Sequence, residues 1–149
     1  TDGTDGSDGI VNVFSSAWFD PTWVVPGTNP DFVQPAPEIT QAVLDSGVIL
    51  VYMRSNGHVY SLPITFTGDT VAKEYNYWAE LNSLRIWFWA ETSFLPSITT
   101  EFRYVIIQGS VAKSDAGSPQ EKIYHELKKA GVDLNSHADV CAHFGVDTR

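Results

Sequence analysis

Apolar and polar positions alternate in short segments over most of the chain between Ile10 and Gly109. A side-chain period of two is typical of a strand that buries one face. Strands are predicted at residues 10–14, 48–54, 58–66, 71–81, 84–91 and 101–108. Because turn residues separate these segments, the fold class is mainly β, an antiparallel β-sandwich or barrel-like domain.

Turn signals divide these strands from one another. Ser55-Asn56-Gly57 lies between two apolar segments, and Asn-Gly favours a tight hairpin because both residues tolerate positive φ. Residues 21–37 are rich in Pro, Gly and Asn but also contain aromatic residues. We expect an ordered loop there, since proline is excluded from central strands.

Near the C-terminus the spacing of apolar residues changes from the two-residue period of a strand to the period of a helix. Ser118-Pro119-Gln120-Glu121 combines an N-cap, a proline at the first helical position and a capping box. The expected apolar stripe is Ile123, Tyr124 and Leu127, with Gly131 as the stop. A second helix is predicted after Ser136, ending near Gly145, with inward residues Ala138, Val140, Cys141 and Phe144. The expected organisation is one domain at residues 10–149 with a helical segment at 118–145.

Residues 1–9 form three triplets with glycine at every third position, as in a collagen-like Gly-x-y arm. Two interpretations remain open, a flexible linker and a trimerising or extended stalk. The candidate assembly arm comprises Asp2, Gly3, Asp5, Gly6, Asp8, Gly9, Val11 and Val13. The three aspartates are a weak candidate for Ca²⁺, although their spacing matches neither an EF-hand nor a nonapeptide repeat.

Charge and cysteine content narrow the function classes. The chain has 149 residues and a net charge of −9, which disfavours nucleic acid and anionic membranes as partners. One cysteine excludes an internal disulfide framework. No run of apolar residues approaches a length of about 18, which a helix needs to span a membrane. A start at Thr1 rather than Met fits a processed form or a fragment.

Trp87 and Trp89 are the most suggestive residues for binding. They alternate with an apolar set in the strand 84–91, so they lie on the face away from the expected core. Three interpretations stay open: a face covered by other parts of the chain, a contact between subunits, or a platform for sugar rings. Tyr75 and Tyr77 share one side of the preceding strand and are further candidates for the same contact.

Catalysis and metal binding find little support. The tail contains potential ligands, but their spacing lacks the paired pattern of zinc sites; they are Asp133, His137, Asp139, Cys141 and His143. A solvated helix face with a buried cysteine is the expected arrangement. Glu80 and Glu91 are a carboxylate pair that one sequence cannot place. No nucleophile or phosphate-loop motif is present, so neither an enzyme nor a cofactor is expected.

Three segments carry a resemblance to a known family. They are ITQAVLDSGVILVY (39–52), YSLP (60–63) and FRYVIIQGS (102–110), preceded by the Gly-x-Asp repeat. Together they resemble the C-terminal β domain of collagen-like surface lipoproteins of Bacteroidota. Two departures are Gln108 in place of a proline and a longer tail after Ala116.

The resemblance implies a protein that is exported, loses its signal and is displayed at the cell surface or released outside the cell. It implies no catalytic residue. Asp69-Thr70-Val71 is similar to the short O-glycosylation motif of these bacteria, which makes Thr70 a candidate modification site. We expect a self-associating subunit of a surface stalk or extracellular filament. The alternative is a module that binds carbohydrate or a host surface through exposed Trp and Tyr residues.

Overall fold

Two four-stranded antiparallel sheets form a β-sandwich. The computed structural model describes residues 10–21, 31–68, 71–92, 100–109 and 118–149, with the backbone alone for Ile10 and Val11. The candidate arm at residues 1–9 and the candidate modification site Thr70 lie outside the described residues.

The elements follow one another as eight strands and three helices within the described residues. They are β1 (Ile10–Ser15), β2 (Asp31–Pro35), α1 (Gln41–Ser46), β3 (Val48–Ser55), β4 (His58–Ser61), β5 (Ile64–Phe66), β6 (Lys73–Glu80), β7 (Ser83–Ala90), β8 (Glu101–Gly109), α2 (Pro119–Lys129) and α3 (His137–Phe144). The first sheet has the order β1-β8-β3-β4, and the second has the order β2-β7-β6-β5.

The main core lies between the two sheets. The first sheet contributes Val51, Met53, Phe102, Tyr104 and Ile106, and the second contributes Tyr75, Leu84, Ile86, Phe88 and Ala90. Burial of such side chains is the dominant favourable term in folding. The predicted core set of the strand 84–91 is confirmed, since all four of its members are at most 1 % exposed.

A second core lies on the outer side of the first sheet, where α2 and α3 pack. Val48, Tyr52, Val105 and Ile107 of the sheet contact Ile123 and Leu127 of α2 and Val140 of α3. The first sheet is therefore buried on both faces. This explains why β8 has the nearly continuous apolar sequence Phe102–Ile107 rather than an alternating one.

The predicted helix signals at the C-terminus are confirmed in detail. The Ser118 side chain accepts from the Glu121 N–H, and the Glu121 carboxylate accepts from the Ser118 N–H at 2.8 Å. Gly145 ends α3 in the left-handed conformation at φ 68°. The prediction is wrong for two of the residues expected to point inward, since Tyr124 is 47 % exposed and Ala138 is also exposed. His137 is buried instead, because α3 presents its first turn to the sheet.

Three predictions of elements are corrected. The expected single strand at 58–66 divides at Pro63, whose nitrogen carries no ladder donor, and its halves pair in different sheets. Residues 31–35, placed in a loop by their prolines, form the edge strand β2. The short helix α1 was not predicted, although Thr40 caps it by accepting from the Val43 N–H.

Candidate functional site

The outer side of the second sheet is an aromatic surface, which we call the aromatic face. It comprises the outward side chains of β2, β6 and β7: Asp31, Val33, Glu74, Asn76, Trp78, Glu80, Arg85, Trp87 and Trp89. Because strand residues alternate between faces, the same strands bury their other side chains in the main core. Within the described residues, the helices α2 and α3 pack on the opposite sheet.

Three tryptophans lie across this face. Trp78 on β6 is opposite Arg85 on β7, so Trp87 is its diagonal neighbour, with ring centroids 6.5 Å apart and planes tilted by 52°. Trp89 follows two residues along β7, a step of about 7 Å in a strand. Trp78 and Trp89 are 45 % and 41 % exposed. Val33, in register with Arg85 on the other side of β7, is 42 % exposed. The face thus presents two exposed indoles with a third, half-buried one between them.

Polar groups hold the Trp78 ring in place. The Trp78 Nε1–H donates to Glu80 Oε2 at 3.1 Å. The Arg85 guanidinium lies 5.4 Å from the Trp78 ring centroid and forms an ion pair with Asp31. Such a cation–π contact adds roughly 0.5–1 kcal/mol at an exposed site. Ring positions that are fixed before a ligand arrives reduce the entropy lost on binding.

The sequence prediction for this face is partly corrected. Trp87 and Trp89 lie on the outer face, as their alternation indicates. Tyr75 and Tyr77 point the other way: Tyr75 is 6 % exposed, and the Tyr77 hydroxyl donates to the Ile49 carbonyl at 3.0 Å. Burial raises the pKa of Tyr75 to about 12. Tyr75 therefore lies in the main core and Tyr77 packs against it, on the side of β6 away from the aromatic face.

Trp78 was missed, although the sequence carried a signal for it. Once Tyr75 and Tyr77 are assigned to one side of β6, Trp78 belongs to the other side. The two-residue turn between Glu80 and Ser83 then sets it opposite Arg85. What the sequence could not reveal was which side of β6 faces the core, because both sides carry aromatic residues.

A second cluster is buried between β8, α3 and the C-terminal tail, and we call it the buried clasp. Arg103 is 5 % exposed and donates to the carbonyls of Ser16 at 2.7 Å and Asp147 at 2.6 Å. Its Nη1 also lies 3.2 Å from His137 Nε2, which is 3.3 Å from Cys141 Sγ. Since both neighbours are donors, a neutral imidazole with its proton on Nδ1 fits this geometry.

The clasp holds His137 and Cys141 in uncharged forms. Burial, together with the positive charges of Arg103 and Arg54, lowers the pKa of His137 to about 4. Burial raises the pKa of the Cys141 thiol, while Arg103 acts in the opposite direction. A neutral thiol beside a neutral imidazole lacks the thiolate of an activated nucleophile. Through Arg103, the clasp joins β8 to the segment after β1, to α3 and to the tail that follows α3.

The structure does not bring together the remaining residues that the sequence suggested for catalysis or metal binding. Glu80 ends β6, whereas Glu91 follows β7 at the opposite end of the pair, so these carboxylates are separated by the length of the strands. The described residues contain no group of three or more His, Cys, Asp or Glu arranged to hold a metal ion. Val13 lies in β1, which pairs with β8 of the same chain.

Comparisons with protein-family models, with curated proteins and with solved structures find no match to this chain. Among the described residues, none of the helices is long and apolar enough to cross a membrane.

Proposed function

We propose that this chain is a non-catalytic binding module and that the aromatic face binds a glycan chain. The observation that carries the proposal is the line of Trp78, Trp87 and Trp89 on the sheet face opposite to the one covered by α2 and α3. An exposed apolar patch bordered by polar groups is typical of an interaction site.

The chemistry of the face suits sugars. An indole offers a flat apolar surface to the C–H groups of a sugar ring together with one N–H donor. Asn76 lies between the tryptophans, in register with Trp87, and Glu74 lies opposite Trp89. Amide and carboxylate groups of this kind can bond sugar hydroxyls. Because Trp78 and Trp87 are tilted by 52°, the face fits a twisted single chain better than a flat crystalline surface.

Affinity electrophoresis through gels that contain soluble neutral polysaccharides tests this proposal. We expect one or more polysaccharides to retard the native protein, and Trp89→Ala and Trp78→Ala to lose most of the retardation. Removing one stacking ring should weaken binding by roughly tenfold, taking the about 0.5–1.5 kcal/mol of an aromatic contact with the area it buries.

Tyr124→Ala is the matched control, because Tyr124 is a similarly exposed aromatic residue on α2. Its retardation should equal that of the native protein. Failure of every neutral polysaccharide to retard the native protein would overturn the proposal, as would equal losses in the Tyr124 and tryptophan variants.

A second candidate function is self-association into a stalk or extracellular filament. The observation that favours it is the position of β1, which directly follows the Gly-x-Asp repeat and is one of the two edge strands of the first sheet in the described part of the chain. An edge strand leaves backbone donors and acceptors open for a neighbouring copy. Light scattering coupled to size-exclusion chromatography, with electron microscopy of the same sample, tests it. A monomer at high concentration without filaments would exclude it.

We propose that the protein acts outside the cell or at its surface. Support for that location comes from the resemblance of the repeat and of the segments around residues 39–52 and 102–110 to exported surface lipoproteins. Fractionation of cells that express the whole protein, followed by protease treatment of intact cells, tests it. Protection of the protein from the protease in intact cells would contradict a surface location.

A further inference from the structure

We infer that the aromatic face selects uncharged glycans over acidic ones and that Glu74 and Glu80 set this selectivity. The inference rests on the proposed function, since it concerns the ligand of the same face. It is carried by the positions of the charged side chains around the three tryptophans.

The charges of the face do not cancel. Among the described residues it carries three carboxylates, Asp31, Glu74 and Glu80, and one guanidinium, Arg85. Arg85 forms its close ion pair with Asp31, while its nearest approach to Glu80 is 4.0 Å. Glu74 is hydrogen-bonded to the neutral Asn76 amide, with Oε2 accepting at 3.1 Å. A net negative charge therefore remains on the face, and Glu74 and Glu80 carry it.

These two carboxylates lie at the two ends of the indole line. Glu74 is in register with Trp89, and Glu80 accepts the Trp78 N–H while its side chain stays 48 % exposed. A ligand that stacks along the three rings passes close to both. Its neutral hydroxyls can donate to the carboxylates, whereas a carboxylate or sulfate on the ligand meets like charge.

The same negative charges disfavour other classes of partner for the aromatic face. Two copies that met face to face would bring two such negative surfaces together, and each chain already carries a net charge of −9. Nucleic acids and anionic lipids are repelled for the same reason. An uncharged glycan can stack on the indoles of the face and is not repelled by its negative charge.

A matched pair of ligands tests the inference. A neutral polysaccharide that retards the native protein is compared with the same polysaccharide after partial carboxymethylation, by affinity electrophoresis at low and high salt. We expect the carboxymethylated form to bind the native protein several-fold more weakly at low salt. The difference should shrink at high salt because ions screen exposed charges.

The variant Glu74→Gln/Glu80→Gln keeps the hydrogen bonds to Asn76 and Trp78, since a glutamine oxygen still accepts. Removing the two charges should strengthen binding of the acidic form several-fold and bring it close to that of the neutral form, since one pair of unit charges 4 Å apart in water is worth about 1 kcal/mol, or about fivefold. The decisive quantity is the ratio of the affinities for the acidic and the neutral form, which should rise in this variant, because a glutamine oxygen accepts from sugar hydroxyls more weakly than a carboxylate does. Glu126→Gln, on α2, is the matched control and should behave as the native protein.

The outcomes separate this inference from the function on which it rests. Absence of binding to every neutral polysaccharide overturns the proposed function and removes the inference with it. Equal binding of the neutral and the carboxymethylated form overturns the inference alone. So does a double Gln variant that discriminates as strongly as the native protein.

Discussion

Neighbouring residues of β7 have opposite environments, although their side chains are similar in kind. Phe88 is fully buried and packs on Tyr75 with ring centroids 4.9 Å apart. Trp89, the next residue, is 41 % exposed on the aromatic face. Hydrophobicity alone does not distinguish them, but the two-residue period of the strand does. One position along the strand therefore decides whether an aromatic side chain lies in the core or on the surface.

We expect Phe88→Ala to lower the free energy of unfolding by about 3–5 kcal/mol, because it leaves a cavity in the main core. Trp89→Ala should cost less than about 1 kcal/mol, since the ring is part of an open surface. Urea unfolding followed by far-UV circular dichroism measures both. Similar losses of stability in the two variants would contradict the assignment of faces.

The helix α3 packs on the first sheet with a buried histidine in its first turn. His137 packs edge-on against the rings of Trp18 and Tyr52, and Arg103 approaches the same imidazole. The charged neighbours of this site are Arg103 on β8, Arg54 on β3 and Asp147 in the tail, and its neutral titratable neighbours are Tyr52 and Cys141. A protonated His137 would place one more positive charge beside Arg103.

The pKa of His137 is about 4 in the folded chain and 6.5 as its ordinary value. The unfolded chain therefore binds more protons between these two values, so stability is complete above about pH 6.5 and falls as the pH decreases towards 4. We expect His137→Gln to flatten this part of the pH dependence of Tm. At neutral pH the substitution should cost about 1–3 kcal/mol, because it disturbs a buried polar contact.

His125→Gln is the matched control for this prediction, since His125 is exposed on α2. Carboxylates contribute to acid unfolding in every variant, so the decisive quantity is the difference between each variant and the native protein. Equal pH dependence of Tm in the His137 variant and the native protein would show that His137 does not control the docking of α3.

The whole molecule is asymmetric, because its two sheets have different outer environments. The first sheet carries α2 and α3 over Val48, Tyr52, Val105 and Ile107, whereas the second carries the aromatic face. A sandwich needs one buried face per sheet, and a sheet with two apolar faces needs another layer. The helical tail is therefore part of the domain and not an appendage.

Removing residues 118–149 should expose the outer face of the first sheet and leave Arg103 without its tail and α3 partners. We expect the truncated protein to aggregate or to bind a hydrophobic dye such as ANS, which the full chain should not do. Size-exclusion chromatography and ANS fluorescence measure these outcomes. A truncated protein that remains monomeric, folded and free of dye binding would contradict the layered arrangement.

Local signals in the sequence determined much of the secondary structure. The Asn56-Gly57 hairpin, the Ser118 capping box and the apolar alternation of β7 depend on residues within a few positions of one another. Periodicity also set Trp87 and Trp89 on the face opposite to the core. Such features are visible in the sequence because short-range geometry fixes them.

The tertiary structure decided which faces meet. Only the packing of the sheets shows that Tyr75 points inward and Trp78 outward, since both sides of β6 carry aromatic residues. Only the chain path brings Arg103 to His137, 34 residues away, and divides the strand at Pro63 between two sheets. These outcomes depend on long-range burial and pairing, which the period of one segment does not encode.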